Sequence, residues 1–138
     1  MMKGLRISSL LQFTLTAGEL VVGEVLEIRE KSVLIGREGL RHEVQIDKVA
    51  QIKISGEWLE RLGFRMNEGF AYELNLAPGL DLRLINQSEP VLVQWAGVER
   101  HTSIWLPSRV EYVHEMQNLY QSLTGRELKL VESKHADN

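Results

Sequence analysis

The stretch VEYVHEMQNLYQSLTGRELKL, residues 110–130, carries apolar side chains at the spacing of a helix. The stripe consists of Val110, Val113, Met116, Tyr120 and Leu123. Such a stripe is typical of a helix that buries one face. Ser108 and Glu111 match a capping box ahead of it, and Gly125 suits its C-terminal end. We therefore predict a C-terminal helix that lies on a sheet and is the main structural element of the chain.

The residues before position 55 alternate between apolar and polar side chains, as strands with one buried face do. The segments 19–30, 31–39 and 40–55 predict short strands, and Gly23 predicts a bulge or a tight bend. Together with a first strand near the start of the chain, they indicate a bent N-terminal β unit. An SH3-like or another small barrel is the architecture that we expect for it.

The segment SGEWLERLGF, residues 55–64, interrupts the strand pattern with a short helix. Ser55 can cap its start, Trp58 and Leu59 belong to an apolar stripe, and Gly63 can end it. Strands follow at 70–77, 80–86, 90–99 and 101–106, and a closing strand is predicted at 126–132. The predicted class is α+β, with an antiparallel sheet packed by the C-terminal helix.

The chain of 138 residues is long enough for one compact domain with two parts. We predict an N-terminal β subdomain over 1–54, a sheet-plus-helix subdomain over 55–132 and a flexible tail over 133–138. The short helix that begins at residue 55 marks the division.

The composition argues against several classes of function. The formal net charge of −3 disfavours nonspecific nucleic-acid binding, and the absence of Cys rules out a thiolate site. The four His residues, at 42, 101, 114 and 135, have no metal-ligand spacing, so we predict neither metal nor cofactor. No apolar run reaches 18 residues, so no membrane span is predicted.

Two segments, EWLERLGF at 57–64 and YVHEMQNLYQSLTGREL at 112–128, resemble a family of small proteins encoded by phages, prophages and mobile elements. Its members share an EWLxxFGF-like segment and a closing YVHxLQNLYxxLTGxEL motif, and LRISS at 5–9 is similar to their LRIGN-like opening. This chain departs from the pattern at Leu62 and Met116, which keep an apolar side chain. The resemblance implies a phage context and a bacterial cytoplasm, and it implies no activity, cofactor or catalytic residue.

The two motifs contain polar and aromatic residues that have both a functional and a structural interpretation. His114 beside Glu115 could act as a general base, or it could be a buried His that hydrogen-bonds its surroundings. Gln117 and Asn118 could contact a ligand, or they could tie the helix to a strand edge. The structural interpretation is favoured for the whole set, which is Trp58, Phe64, Tyr112, His114, Gln117, Asn118 and Tyr120.

Basic and aromatic residues in predicted turns and strands form a speculative ligand-binding set. Its members are Arg37, Arg41, Trp95, Arg100, His101 and Trp105. The cations could bind an anionic group while a Trp stacks on a base. They could equally be solvated turn charges, and the two Trp residues on adjacent strands could form a buried cross-strand pair.

Three functional hypotheses follow from these residues. We prefer a noncatalytic binding module, phage-encoded, that acts on a host protein or sequesters a small nucleotide-like anionic ligand; the phage context implies counter-defence as one role. The alternative is an accessory protein associated with single-stranded nucleic acid, and the third hypothesis is a hydrolase that uses His114 or His101. Strand edges that need cover also predict a homo-oligomer.

Overall fold

The computed structural model describes residues 4–131, in which ten strands form two antiparallel five-stranded sheets beside two helices. The first sheet consists of β1 (Leu10–Thr14), β2 (Leu20–Ile28), β3 (Ser32–Arg37), β4 (Leu40–Gln45) and β5 (Val49–Ala50). The second sheet consists of β6 (Arg65–Met66), β7 (Tyr72–Ala77), β8 (Leu80–Ile85), β9 (Glu89–Trp95) and β10 (His101–Trp105). The helices are α1 (Gly56–Arg61) and α2 (Val113–Thr124). The predicted α+β class is confirmed.

The first sheet is a bent meander whose fifth strand returns to the first. Its strand order is β4-β3-β2-β1-β5, and a bulge lies between Val25 and Glu27 in β2. Side chains from β1, β2, β3 and β5 meet in a small core of their own. Because β4 and β5 are both edges, the sheet is an open form of the predicted small barrel. A 3-10 turn at Ile46–Lys48 interrupts the continuous strand predicted over 40–55.

Gly23 is buried in β2 at a point of close approach. A Cβ atom there would lie 2.2 Å from the Ile35 Cγ2 atom and 3.5 Å from the Phe13 ring. The predicted bulge falls instead between Val25 and Glu27. Gly23 is therefore needed for packing between β2 and its neighbours.

Helix α1 has the ends that its sequence predicts. The Ser55 hydroxyl accepts a hydrogen bond from the Trp58 N–H at 3.3 Å. Gly63 follows the helix with a φ of 99°, and the Phe64 N–H donates to the Leu59 carbonyl at 2.9 Å. Leu59 and Phe64 are buried in the larger of the two cores, so α1 carries its apolar stripe into the second half of the molecule.

The larger core joins the second sheet to both helices. It contains Leu82 and Leu84 from β8 with Val113 and Met116 from α2, and these four side chains are fully buried. Phe70 was predicted to continue the alternation of β7, but it lies in a turn with a φ of 63° and is 81% exposed. The strands predicted over 70–77, 80–86, 90–99 and 101–106 are present, and they form the β7–β8 and β9–β10 hairpins.

The larger core also takes side chains from before the predicted boundary at residue 54. Leu10, Ile52 and Ile54 are buried in it together with the residues of α2. The division into 1–54 and 55–132 stays a prediction, and the flexible tail predicted at 133–138 lies outside the described residues.

Helix α2 starts at Val113, five residues after the predicted cap at Ser108. Backbone hydrogen bonds to distant segments hold residues 110–113 in place: the Val110 N–H donates to the Ser88 carbonyl, the Val113 N–H to the Ile52 carbonyl, and the Ile54 N–H to the Glu111 carbonyl. The capping carboxylate is that of Glu115, which accepts from the Glu111 and Tyr112 N–H groups at 3.0 Å each.

The C-terminal end of α2 is as predicted, and the segment after it is not. Gly125 has a φ of 74°, and its N–H donates to the Gln121 carbonyl at 2.8 Å. Residues 126–131 form no strand, so the closing strand predicted over 126–132 is wrong for the described residues. Leu128 is nevertheless buried, and the Val131 N–H donates to the Arg61 carbonyl at 2.8 Å.

Candidate functional site

The amide side chains of α2 hold the beginning of the chain. The Leu10 N–H donates to the Gln117 Oε1 atom at 2.8 Å, and the Gln117 Nε2 atom donates to the Ser8 carbonyl at 2.8 Å. The Asn118 Nδ2 atom donates to the Gly4 carbonyl at 2.7 Å. Gln117 is 2% exposed. This is the arrangement that the structural interpretation of the two amides predicts, a tie between the helix and a strand edge.

Arg6 completes this attachment, which we call the terminal clamp: Arg6, Gln117, Asn118 and Glu127. The Arg6 guanidinium donates to the Asn118 Oδ1 atom, to the Gln117 carbonyl and to the Glu127 carboxylate. Neither Arg6 nor Glu127 was among the candidate residues named from the sequence. Both lie in the segments LRISS and TGREL that carry the family resemblance, and this was the available signal.

The other signature residues pack against the protein interior. His114 has no exposed surface, and its ring is 6.2 Å from that of Tyr112 with an interplanar angle of 18°. A side chain without solvent access cannot meet a substrate, so this geometry favours the structural interpretation of His114. Trp58 and Tyr120 are partly buried against the larger core, and the Arg61 guanidinium lies 4.1 Å from the Trp58 ring centroid.

Arg37 and Arg41 lie at the turn between β3 and β4. They border an open cavity of about 410 Å³ that Glu24 and Glu38 also line. Arg37 forms an ion pair with Glu38 at 3.4 Å. Positive and negative side chains are therefore balanced there, which gives little attraction to an anionic ligand.

Trp95, His101 and Trp105 share the outer face of the β9–β10 hairpin. The strand register places His101 opposite Trp95, with ring centroids 4.8 Å apart. Trp105 lies opposite Val91, so the predicted Trp95–Trp105 pair is wrong. His101, which lies opposite Trp95, and Trp105 are four residues apart along β10, about 13 Å at the rise per residue of a strand. The Trp95 indole N–H donates to the Asp81 carboxylate at 3.0 Å.

Strand β10 is exposed along its whole length. Trp105 is 61% exposed and Ile104 is 52% exposed, so the predicted burial of Trp105 is wrong. Trp105 lies opposite Val91, on the sheet face that points away from the larger core, whereas Ile104 lies opposite Leu92, where that core ends. Arg100 is exposed in the turn before β10.

The speculative ligand-binding set is therefore split between two sheets. Arg37 and Arg41 belong to the first sheet, whereas the other four residues belong to the β9–β10 hairpin. No hydrogen bond, ion pair or ring contact within residues 4–131 joins the two groups. We use the name β10 face for the outer surface formed by Trp95, Arg100, His101, Ser103 and Trp105, which lies over the buried Val91.

Across residues 4–131, no cluster of three or more His, Cys, Asp or Glu side chains is arranged to hold a metal ion. Neither described helix is long and apolar enough to cross a membrane. No protein-family model matches the chain, and no curated protein or solved structure is significantly similar to it. The phage-family resemblance therefore stays an expectation that rests on the motifs.

Proposed function

We propose that the protein is a noncatalytic binding module that engages a partner protein through the β10 face. The observation that supports this is the exposure of Trp105, at 61%. Exposed Trp residues are enriched among the anchors of protein interfaces, where one side chain can carry much of the binding free energy. The Arg100 and His101 side chains at the other end supply a polar rim.

A protein partner fits the β10 face better than the nucleotide-like ligand does. A sandwich between Trp95 and Trp105 would need them on facing sides of a base, and they are about 13 Å apart on one sheet face. The cavity beside Gln117, of about 140 Å³, is lined by the carboxylates of Glu24 and Glu127 and by one cation, Lys129, so its charge does not favour an anion. A small anionic ligand thus has no cationic pocket among these residues.

The single-strand nucleic-acid alternative uses the same surface, since Trp105 could stack on a base. The net charge of −3 and the presence of one Arg on the β10 face count against it. Binding of an oligonucleotide that weakens with salt and is lost on Arg100→Ala would favour it over a protein partner.

The biological setting of the proposal comes from the family resemblance. A phage-encoded module would act in the cytoplasm of a bacterial host, and a host protein would be its partner. Within that setting, we propose that the module acts against host defence.

Photo-crosslinking tests the proposal directly. We expect benzoylphenylalanine at Trp105 to capture one host protein in living cells, and benzoylphenylalanine at Phe70 to capture none. Phe70 is the matched control because it is 81% exposed and lies outside the β10 face. A captured band of twice the chain mass would be self-association and is not counted.

The captured protein then permits a quantitative test. Trp105→Ala should weaken its binding at least tenfold, in keeping with a loss of about 2 kcal/mol at an anchor residue, while Phe70→Ala should not. Equal affinities of the two variants would refute the assignment of the β10 face.

A further inference from the structure

Within residues 4–131, no strand pairs with the outer edge of β10, and the ladder with β9 shows which backbone groups point to that edge. The Ala96 N–H donates to the Arg100 carbonyl, and the Leu106 N–H donates to the Pro90 carbonyl. Bonded and non-bonded pairs alternate in an antiparallel ladder, so Thr102 and Ile104 point their backbone groups toward β9. His101, Ser103 and Trp105 consequently direct their N–H and C=O groups away from β9, to the free edge.

This edge differs from the other sheet edges of residues 4–131. Strands β5 and β6 have two residues each, and the β4 edge carries Arg41 and Glu43. Short length and charged side chains are the usual protection against pairing with another strand. Strand β10 has five residues, HTSIW, without Asp, Glu, Lys or Arg.

We propose that β10 pairs antiparallel with β10 of a second copy of this chain, around a two-fold axis at Ser103. The two sheets then continue as one, and the outward groups of His101, Ser103 and Trp105 form about six backbone hydrogen bonds between the copies. The inference does not rest on the proposed function, because the pairing is argued from the backbone edge of β10 and needs no host protein.

The register about Ser103 is complementary to itself. His101 lies opposite Trp105 of the second copy, and the same kind of pair already exists within the chain at Trp95 and His101, 4.8 Å apart. Arg100 lies opposite Leu106, so no like charges meet across the axis. Ile104, which is 52% exposed, is covered by Thr102 of the second copy.

Ser103→Pro is the sharpest perturbation of this pairing. Proline removes the outward N–H at the axis and no ladder bond to β9, and prolines of this kind are tolerated on edge strands. Ser103→Ala is the matched control, since it keeps the N–H. Sedimentation equilibrium should give twice the monomer mass of 15.8 kDa for the wild type and for Ser103→Ala, and the monomer mass for Ser103→Pro. A monomeric wild type, or a folded Ser103→Pro dimer, overturns the proposal.

A second experiment keeps the test decisive if Ser103→Pro fails to fold. The chain has no Cys, so Ser103→Cys introduces a single thiol. Two such residues at the axis would have Cα atoms about 5.5 Å apart, a separation that a disulfide can bridge. We expect rapid oxidation to a disulfide-linked dimer, and slow oxidation for Leu40→Cys on the β4 edge. Equal oxidation rates would overturn the proposed pairing, whether or not the β10 face also binds a host protein.

Discussion

Replacing Gln117 by Leu should loosen the beginning of the chain from α2. The substitution keeps a side chain of similar length in a site that is 2% exposed, but it removes both hydrogen bonds of the amide. The Leu10 N–H, in a buried bond, and the Ser8 carbonyl, in a partly buried one, lose their partners. A buried donor without a partner costs about 1–3 kcal/mol and the second bond adds about 1 kcal/mol, so we expect a loss of about 2–4 kcal/mol.

Urea unfolding at fixed protein concentration measures this loss, and Gln121→Leu is the control. Gln121 is one turn further along α2 and exposed, so the same substitution there should change the unfolding free energy by about 0.5 kcal/mol or less. Native-state hydrogen exchange should also become faster at the Leu10 amide in Gln117→Leu. If the two variants unfold at the same urea concentration with equal slopes, the terminal clamp contributes nothing and the reasoning is refuted.

Two further predictions concern the first sheet. Gly23→Ala should destabilise the protein by about 1–3 kcal/mol in thermal or urea melts, because its Cβ atom would lie 2.2 Å from the Ile35 side chain. The control Gly69→Ala should be nearly neutral, because the nearest atom to its Cβ is 3.5 Å away. Equal effects of the two substitutions would contradict the packing argument. Hydrogen bonds from the Ser32 hydroxyl and from the Arg29 guanidinium lower the pKa of the Glu43 carboxyl. The ionised carboxylate therefore stabilises the folded state above the pKa of the unfolded chain, and this stabilisation is lost as pH falls through the folded pKa. Ser32→Ala should raise this pKa in a carboxyl NMR titration, and an unchanged midpoint would count against the assignment.

The sequence predicted correctly those parts of the structure that depend on contacts between residues close together in the chain. Ser55, Gly63 and Phe64 predicted both ends of α1, and each acts through a contact within ten residues. The start of α2 was misplaced because Val110 lies in line with the helical stripe, while its backbone is bonded to Ser88. A hydrogen bond between residues so far apart in the chain cannot be predicted from the spacing of neighbouring residues.

The candidate site was harder to predict than the fold. His101 and Trp105 were named from their residue types, but their exposure depends on which face of the second sheet packs on the larger core. Arg6 was missed because its place in LRISS gives no sign of the residues that it contacts. Its role becomes visible once Asn118 and Glu127 are brought beside it.

The terminal clamp also determines when the first sheet can attach to α2 during synthesis of the chain. The Leu10 amide leaves the ribosome 107 residues before its Gln117 partner, and Arg6 leaves it 121 residues before Glu127. The strands of the first sheet can pair with one another while translation continues, but their attachment to α2 must wait until Gln117 and Glu127 have been synthesised. A truncated product that stops before Gln117 would therefore present an unfastened first strand to the cell's proteases.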